Sequence, residues 1–157
     1  METIQDFEDM LVLLEKYKVR YLIIGGLAFI YHAKPRYTKD MDLWIDPAAE
    51  NTKRANQALA EFGSPYLLDP KKSKEILQLG VAPDRIDILR HVPGVQFKTA
   101  WQKRIIGHYG KAAANWIGLG SLISIKNRID HPRHREDVRV LREVQKRRSL
   151  LPKKDKS

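Results

Sequence analysis

Residues 20–45 read RYLIIGGLAFIYHAKPRYTKDMDLWI, and this stretch decides the fold. Arg20 to Ile24 is a short β-rich run that ends on Gly25-Gly26, and residues 27–32 then take up a helical pattern. Pro35 closes that segment, because it lacks a backbone donor and restricts the residue before it. From residue 39 to 46 the chain alternates, with Met41, Leu43 and Ile45 on one side and Asp40, Asp42 and Trp44 on the other. Period-two alternation predicts a strand. Side chains two apart on a strand share a face, so Asp40 and Asp42 project side by side.

Outward from this segment the elements follow in order. Residues 4–17 place Phe7, Met10, Leu11, Leu13 and Leu14 at helical spacing. Residues 48–62 form a second helical pattern, with Ala55, Leu59 and Phe62 as its stripe and Gly63 as its stop. Residues 76–81 and 85–89 are β-rich runs around Ala82-Pro83-Asp84, a hairpin signal. Residues 97–105, 119–129 and 135–147 read as helices, with His131-Pro132-Arg133-His134 as the turn between the last two. The expectation is an α/β (α+β) protein: a central mixed sheet flanked by helices, closed by C-terminal helices. Residues 1–150 read as a single domain and 151–157 as a disordered basic tail.

Composition narrows the function classes. The chain has 157 residues, 43% hydrophobic and 31% charged, the balance of a globular protein. No apolar run approaches the ~18 residues that span a bilayer, and the acidic start lacks the basic and apolar regions of a signal peptide. The expectation is a cytoplasmic protein with no membrane association. With no cysteine there is neither a disulfide framework nor a thiolate metal site. The net charge of +10 is concentrated at the end, where residues 126–157 hold 12 Lys/Arg against 5 Asp/Glu. A basic C-terminal helix is either a footprint for phosphates, including RNA or tRNA, or a solvated helix with a frayed tail.

Three features suggest chemistry. Gly25-Gly26 between strand and helix lets the backbone turn and approach a ligand, and the helix start offers free N–H groups to an anion such as a triphosphate. Two adjacent carboxylates, Asp40 and Asp42, repel unless a cation sits between them, and Mg²⁺ prefers hard oxygen ligands. Asp87, on the opposite side of its run from Ile86 and Ile88, is a third acid that a neighbouring strand could bring to the same site. Taken one at a time, each is more often a tight turn, a pair of solvated acids or an exposed strand residue.

Together they carry a resemblance. Gly25-Gly26-Leu27-Ala28, followed by Arg36-Tyr37-Thr38-Lys39-Asp40-Met41-Asp42-Leu43, resembles the signature of the polymerase β-like nucleotidyltransferase superfamily. The Arg-X-Thr-X-Asp-X-Asp form is similar to the minimal bacterial and archaeal members, including the AbiEii-type toxins of toxin–antitoxin systems. The likeness continues through residues 79–89, through Gly94 to Phe97 with Ala100, Trp101 and Arg104, and through residues 122–126 and 135–138. It covers residues 20–141.

The resemblance implies a nucleotidyltransferase fold and Mg²⁺-dependent transfer of a nucleoside monophosphate from an NTP to a hydroxyl of a protein, tRNA or small molecule. It implies one or two Mg²⁺ ions on Asp40, Asp42 and Asp87, with Asp87 also helping to activate the acceptor. Gly25, Gly26, Arg36, Thr38 and Lys126 would bind the nucleotide, and a cognate toxin or antitoxin would be the protein partner. Two departures touch the site itself. Gly26 stands where many members have serine, which removes a hydroxyl contact to phosphate, and Glu136 stands where lysine is expected. The alternative is a non-catalytic nucleotide- or RNA-binding module of a regulatory or antitoxin kind on the same fold. A third is a structural cation site. Lys126 on an amphipathic helix is more often solvated than functional, His32 reads as structural, and Trp44, Trp101 and Trp116 read as packing residues.

Overall fold

The structure is a computed structural model that describes residues 2–38, 40–128 and 131–151. The expected basic tail lies outside the described residues from 152 onward. Twelve elements follow one another: α1 (Gln5–Lys16), β1 (Tyr21–Ile24), α2 (Gly25–His32), β2 (Asp40–Ile45), α3 (Ala49–Phe62), β3 (Leu77–Leu79), β4 (Arg85–Leu89), α4 (Phe97–Gln102), β5 (Ile105–Tyr109), β6 (Ala112–Trp116), α5 (Leu119–Asn127) and α6 (Pro132–Ser149). The strands form one mixed sheet in the order β3-β4-β2-β1-β6-β5. β2 runs antiparallel to β1 and parallel to β4, while β6 joins the far side of β1 in parallel.

Burial explains the pattern. All four residues of β1 are buried, as expected of a strand covered on both faces. On β2, Met41, Leu43 and Ile45 are fully enclosed. Trp44, on the acids' side, is also only 1% exposed because Phe97 of α4 packs edge-on against it at 5.3 Å. The acid-bearing face is therefore capped at one end by aromatics and open only at the Asp40–Asp42 end. Helix α1 packs on α3, whereas α2 packs on α5 and α6. No helix among the described residues is long and apolar enough to cross a membrane.

Three expectations are corrected. The helix expected over 97–105 stops at Gln102, and Ile105 opens a strand instead. The β5–β6 hairpin went unread, because Gly107 and the run Ala112-Ala113-Ala114 are poor strand formers. The structure turns the hairpin at Gly110 (φ +56°) and holds it through Trp116, which stacks on Tyr31 at 4.4 Å. The last helix begins at Pro132 rather than Arg135. His131 serves as N-cap, its Nδ1 accepting from the Arg133 N–H at 3.1 Å, and proline at the first helical position costs no hydrogen bond. Residues 133 and 134 thus belong to a helical turn, not a linker.

Candidate active site

The parallel register of β2 and β4 sets Asp40 opposite Arg85 and Asp42 opposite Asp87. Adjacent strands lie about 4.8 Å apart, and each of the three carboxylates offers an oxygen within 4.8 Å of the others. Arg85, two residues before Asp87, lies on the same strand face and reaches across both strands. Its Nη2 donates to Asp40 Oδ2 at 2.5 Å, and its Nε lies 3.2 Å from Asp87 Oδ1. That second contact is an ion pair without hydrogen-bond alignment, so Arg85 Nε and Asp87 Oδ1 are both buried without a hydrogen bond.

Three acids facing one cation leave the cluster short of positive charge. Burial, then the Asp40 and Asp87 carboxylates, push the Asp42 carboxyl up to about 7, against the opposing pull of Arg85. Asp87 is also raised, chiefly by burial, with Arg85 opposing. Excess negative charge, hard oxygen donors on two strands and an unpartnered Asp87 oxygen together fit a divalent cation such as Mg²⁺. Asp40, Asp42 and Asp87 would hold it.

Beside the acids, α2 starts directly at Gly25 with no side chain capping its first turn. Its leading N–H groups are therefore free to meet an anion. Gly25 takes a left-handed φ of +69°, and a Cβ there would lie 2.1 Å from Asp42 Oδ2. The helix start and the acid are thus in contact through a glycine that no other residue could replace without displacing Asp42. A Cβ at Gly26 would lie 2.6 Å from Thr38 Oγ1. A serine at position 26 would therefore crowd the Thr38 hydroxyl, which donates to the Asp40 carbonyl at 3.3 Å.

The opposite wall is cationic. Asp137 of α6 accepts from Arg36 Nη1 at 2.7 Å and from Lys126 Nζ at 2.9 Å. Phe29 lies under the Arg36 guanidinium at 4.0 Å and fixes its plane. Burial works against the charged form of Asp137, but the hydrogen bonds from Arg36 and Lys126 prevail and hold its carboxyl below the usual range. Burial lowers Lys126, with Asp137 opposing and Arg36 and Arg133 adding to the fall. His134 is lowered by burial and then by Lys126, and its Nδ1 is buried without a hydrogen-bond partner.

Both walls open on one cavity of about 320 Å³, lined by Gly25, Gly26, Arg36, Thr38, Asp40, Asp42, Lys126, Arg133 and His134. Seven of the eight residues singled out from sequence therefore line it, and Asp87 joins them through Asp42 and Asp40. Lys126 is not solvated: it is 5% exposed and ion-paired. Glu136, where lysine was expected, faces away and pairs with Arg139, while Arg133 supplies a cation to the cavity instead. Sequence reading missed Arg85, Asp137, Arg133 and His134. Only Arg85 had a visible signal, its two-residue spacing from Asp87. The other three depend on where α6 begins and what it packs against.

No family model matches the chain, and no curated protein matches it. Solved structures do. The lincosamide antibiotic adenylyltransferase LnuA, bound to lincomycin, superposes with a TM-score of 0.61 at 16% identity, over 92% of this chain and 99% of its own. ANT(2″)-Ia in complex with adenylyl-2″-tobramycin gives 0.56 at 13% identity, over 91% and 92%. A Thermotoga maritima protein assigned as a nucleotidyltransferase gives 0.58 at 13% identity, over 90% and 91%. The mixed sheet and its flanking helices are the nucleotidyltransferase fold.

Proposed function

We propose that the protein is a nucleotidyltransferase that moves a nucleoside monophosphate from an NTP to a hydroxyl and releases pyrophosphate, with residues 1–150 as one catalytic unit. The observation that carries this reading is the convergence of three carboxylates, an uncapped helix start and a cationic wall on one cavity. The N–H groups after Gly25-Gly26 receive the triphosphate, and the Thr38 hydroxyl contributes the contact that a serine at position 26 would make. Arg36, Lys126 and Arg133 add positive charge on the far wall. Asp87, whose carboxyl burial raises above its ordinary range, takes the proton as the acceptor oxygen bonds to the α-phosphorus and the bond to pyrophosphate breaks. Mg²⁺ held by Asp40, Asp42 and Asp87 would supply charge for the triphosphate and acidify the acceptor hydroxyl. The remaining contribution is positioning.

The small-molecule complexes of LnuA and ANT(2″)-Ia support a small hydroxylated acceptor. A nucleic-acid acceptor is favoured by a different observation. Arg135, Arg139, Arg142 and Lys146 are all exposed and spaced along one side of α6, the helix whose first turn lines the cavity. Transfer to RNA that weakens steeply with salt would select the second acceptor; salt-insensitive transfer would select the first. Use of NTP is consistent with a cytoplasmic location. The toxin–antitoxin assignment rests on the sequence resemblance alone, and co-purification with the product of an adjacent gene tests it.

The function itself is tested by calorimetric titration with ATP, GTP, CTP and UTP, with and without Mg²⁺, on the wild type and on Asp40→Ala/Asp42→Ala. Binding that requires both metal and acids is expected. Nucleotide binding that survives loss of both acids and of Mg²⁺ would leave a non-catalytic binding module in its place.

A further inference from the structure

Within the proposed nucleotidyltransferase site, we infer that Arg85 is a built-in counter-ion that holds the place of the metal and keeps the metal affinity of the nucleotide-free protein low. The inference rests on that functional reading and adds a residue to it. The guanidinium touches Asp40 Oδ2 and Asp87 Oδ1, one oxygen from each of the two strands that a bridging cation must join. A divalent cation bound to these same oxygens at about 2.1 Å would compete with the guanidinium for them. Like charges at such distances repel strongly in a partly buried site. Arg85 accordingly gives way when the metal binds.

The contacts show a tenant that can leave. Arg85 is joined well to Asp40 but poorly to Asp87, whose Oδ1 remains buried without a hydrogen bond although the residue is only 8% exposed. The Arg85 side chain is 31% exposed, so its long stem has solvent to swing into. The contrast with Arg36 is direct, since Arg36 lies flat on Phe29 and makes an aligned bond to a carboxylate that Lys126 also holds. Arg85 has no such anchor among the described residues. Its role is to limit carboxylate repulsion while the site lacks metal and to yield when the metal arrives. Arg85 is accordingly a positioning residue, acting through Asp40 and Asp87.

The test uses Mn²⁺ as probe, titrated calorimetrically at low ionic strength into the wild type, Arg85→Gln and Arg85→Lys in the absence of nucleotide. Arg85→Gln is expected to bind Mn²⁺ at least about tenfold more tightly than the wild type, because both the competitor and its charge are gone. Arg85→Lys, which keeps the charge, is expected to stay within a few-fold of the wild type. A residue that merely braced the fold would give the opposite sign, with affinity falling on removal. Unchanged or weaker binding by folded Arg85→Gln, with wild-type binding intact, overturns the inference and leaves the functional reading standing. Absence of Mn²⁺ binding from every protein, with and without NTP, overturns both. Should Arg85→Gln not fold, the wild type still decides. The Arg85 Nε–H resonance, assigned by its loss in Arg85→Lys, must shift on Mg²⁺ addition, and a resonance unmoved at saturating Mg²⁺ refutes displacement.

Discussion

Two ionic clusters face each other across the same cavity, and they are built on opposite principles. On the α2–α6 side, Asp137 is shared by Arg36 and Lys126 with two aligned hydrogen bonds, and both Lys126 and Asp137 are at most 5% exposed. On the β2–β4 side, three carboxylates share one arginine, and both an acid oxygen and an arginine nitrogen remain unpaired. The first cluster has both oxygens of its carboxylate hydrogen-bonded, with Arg36 Nε buried unpaired, and carries a surplus positive charge. The second is frustrated and carries a surplus negative charge. Satisfaction fixes a wall in place, whereas frustration leaves free energy available to a ligand that completes the set. The comparison separates the residues that hold the site from those that would react in it.

The largest effect should come from the frustrated side. Asp42→Asn is expected to lower nucleotidyl transfer by about a thousandfold or more, as expected when transition-state charge stabilisation is removed. It should also raise the melting temperature of the metal-free protein at pH 8. The sign follows from the raised carboxyl: the folded state holds that proton more tightly than the unfolded chain does. Its penalty on stability is therefore full above pH 7 and disappears as pH falls toward 4. A variant that loses activity and stability together would abolish the distinction between the two clusters.

The satisfied side should respond in the other direction. Asp137→Asn leaves a buried lysine and an arginine without their counter-ion, and breaking such a pair costs about 3–5 kcal/mol. Chemical denaturation should show that loss, with nucleotide affinity falling less than stability does. In the wild type the same carboxyl, held below its ordinary range, contributes stability that is present above pH 4 and disappears as pH drops further.

The seam between the clusters offers a subtler test. Gly26→Ser should cost about 1–3 kcal/mol, because the added Cβ meets the Thr38 hydroxyl at 2.6 Å. Most of that should return in Gly26→Ser/Thr38→Ala, and a double-mutant cycle measures the coupling. Additive effects would mean that the two positions do not compete for one space.

The smallest effect is one of pH. Metal must displace the proton from Asp42, so affinity for Mg²⁺ should fall about tenfold between pH 8 and pH 6, the drop set by a carboxyl near 7. Calorimetry across that range checks it, and a flat profile would place the metal away from Asp42.

Much of this was legible without coordinates. The β2 alternation, the Gly25-Gly26 break and the Asp87 strand are local signals, since period, turn chemistry and side-chain direction are fixed within a few residues. Other parts carried no local signal. The β5–β6 hairpin is written in alanine and glycine and forms because β1 offers it a parallel edge and Tyr31 a stacking surface for Trp116. The start of α6 was misplaced because a proline after a histidine reads as a turn until the histidine is seen to cap the helix.

The sequence by itself determined the acid strand, the glycine turn before α2 and the basic character of the C-terminal helix, because each depends on residues close together in the chain. Only the tertiary structure decided that Asp42 stands opposite Asp87, that Arg85 bridges the acids and that Asp137 binds Arg36 from 101 residues away. Register between strands and docking of a distant helix are set by the packing of the whole core, and no local pattern encodes them.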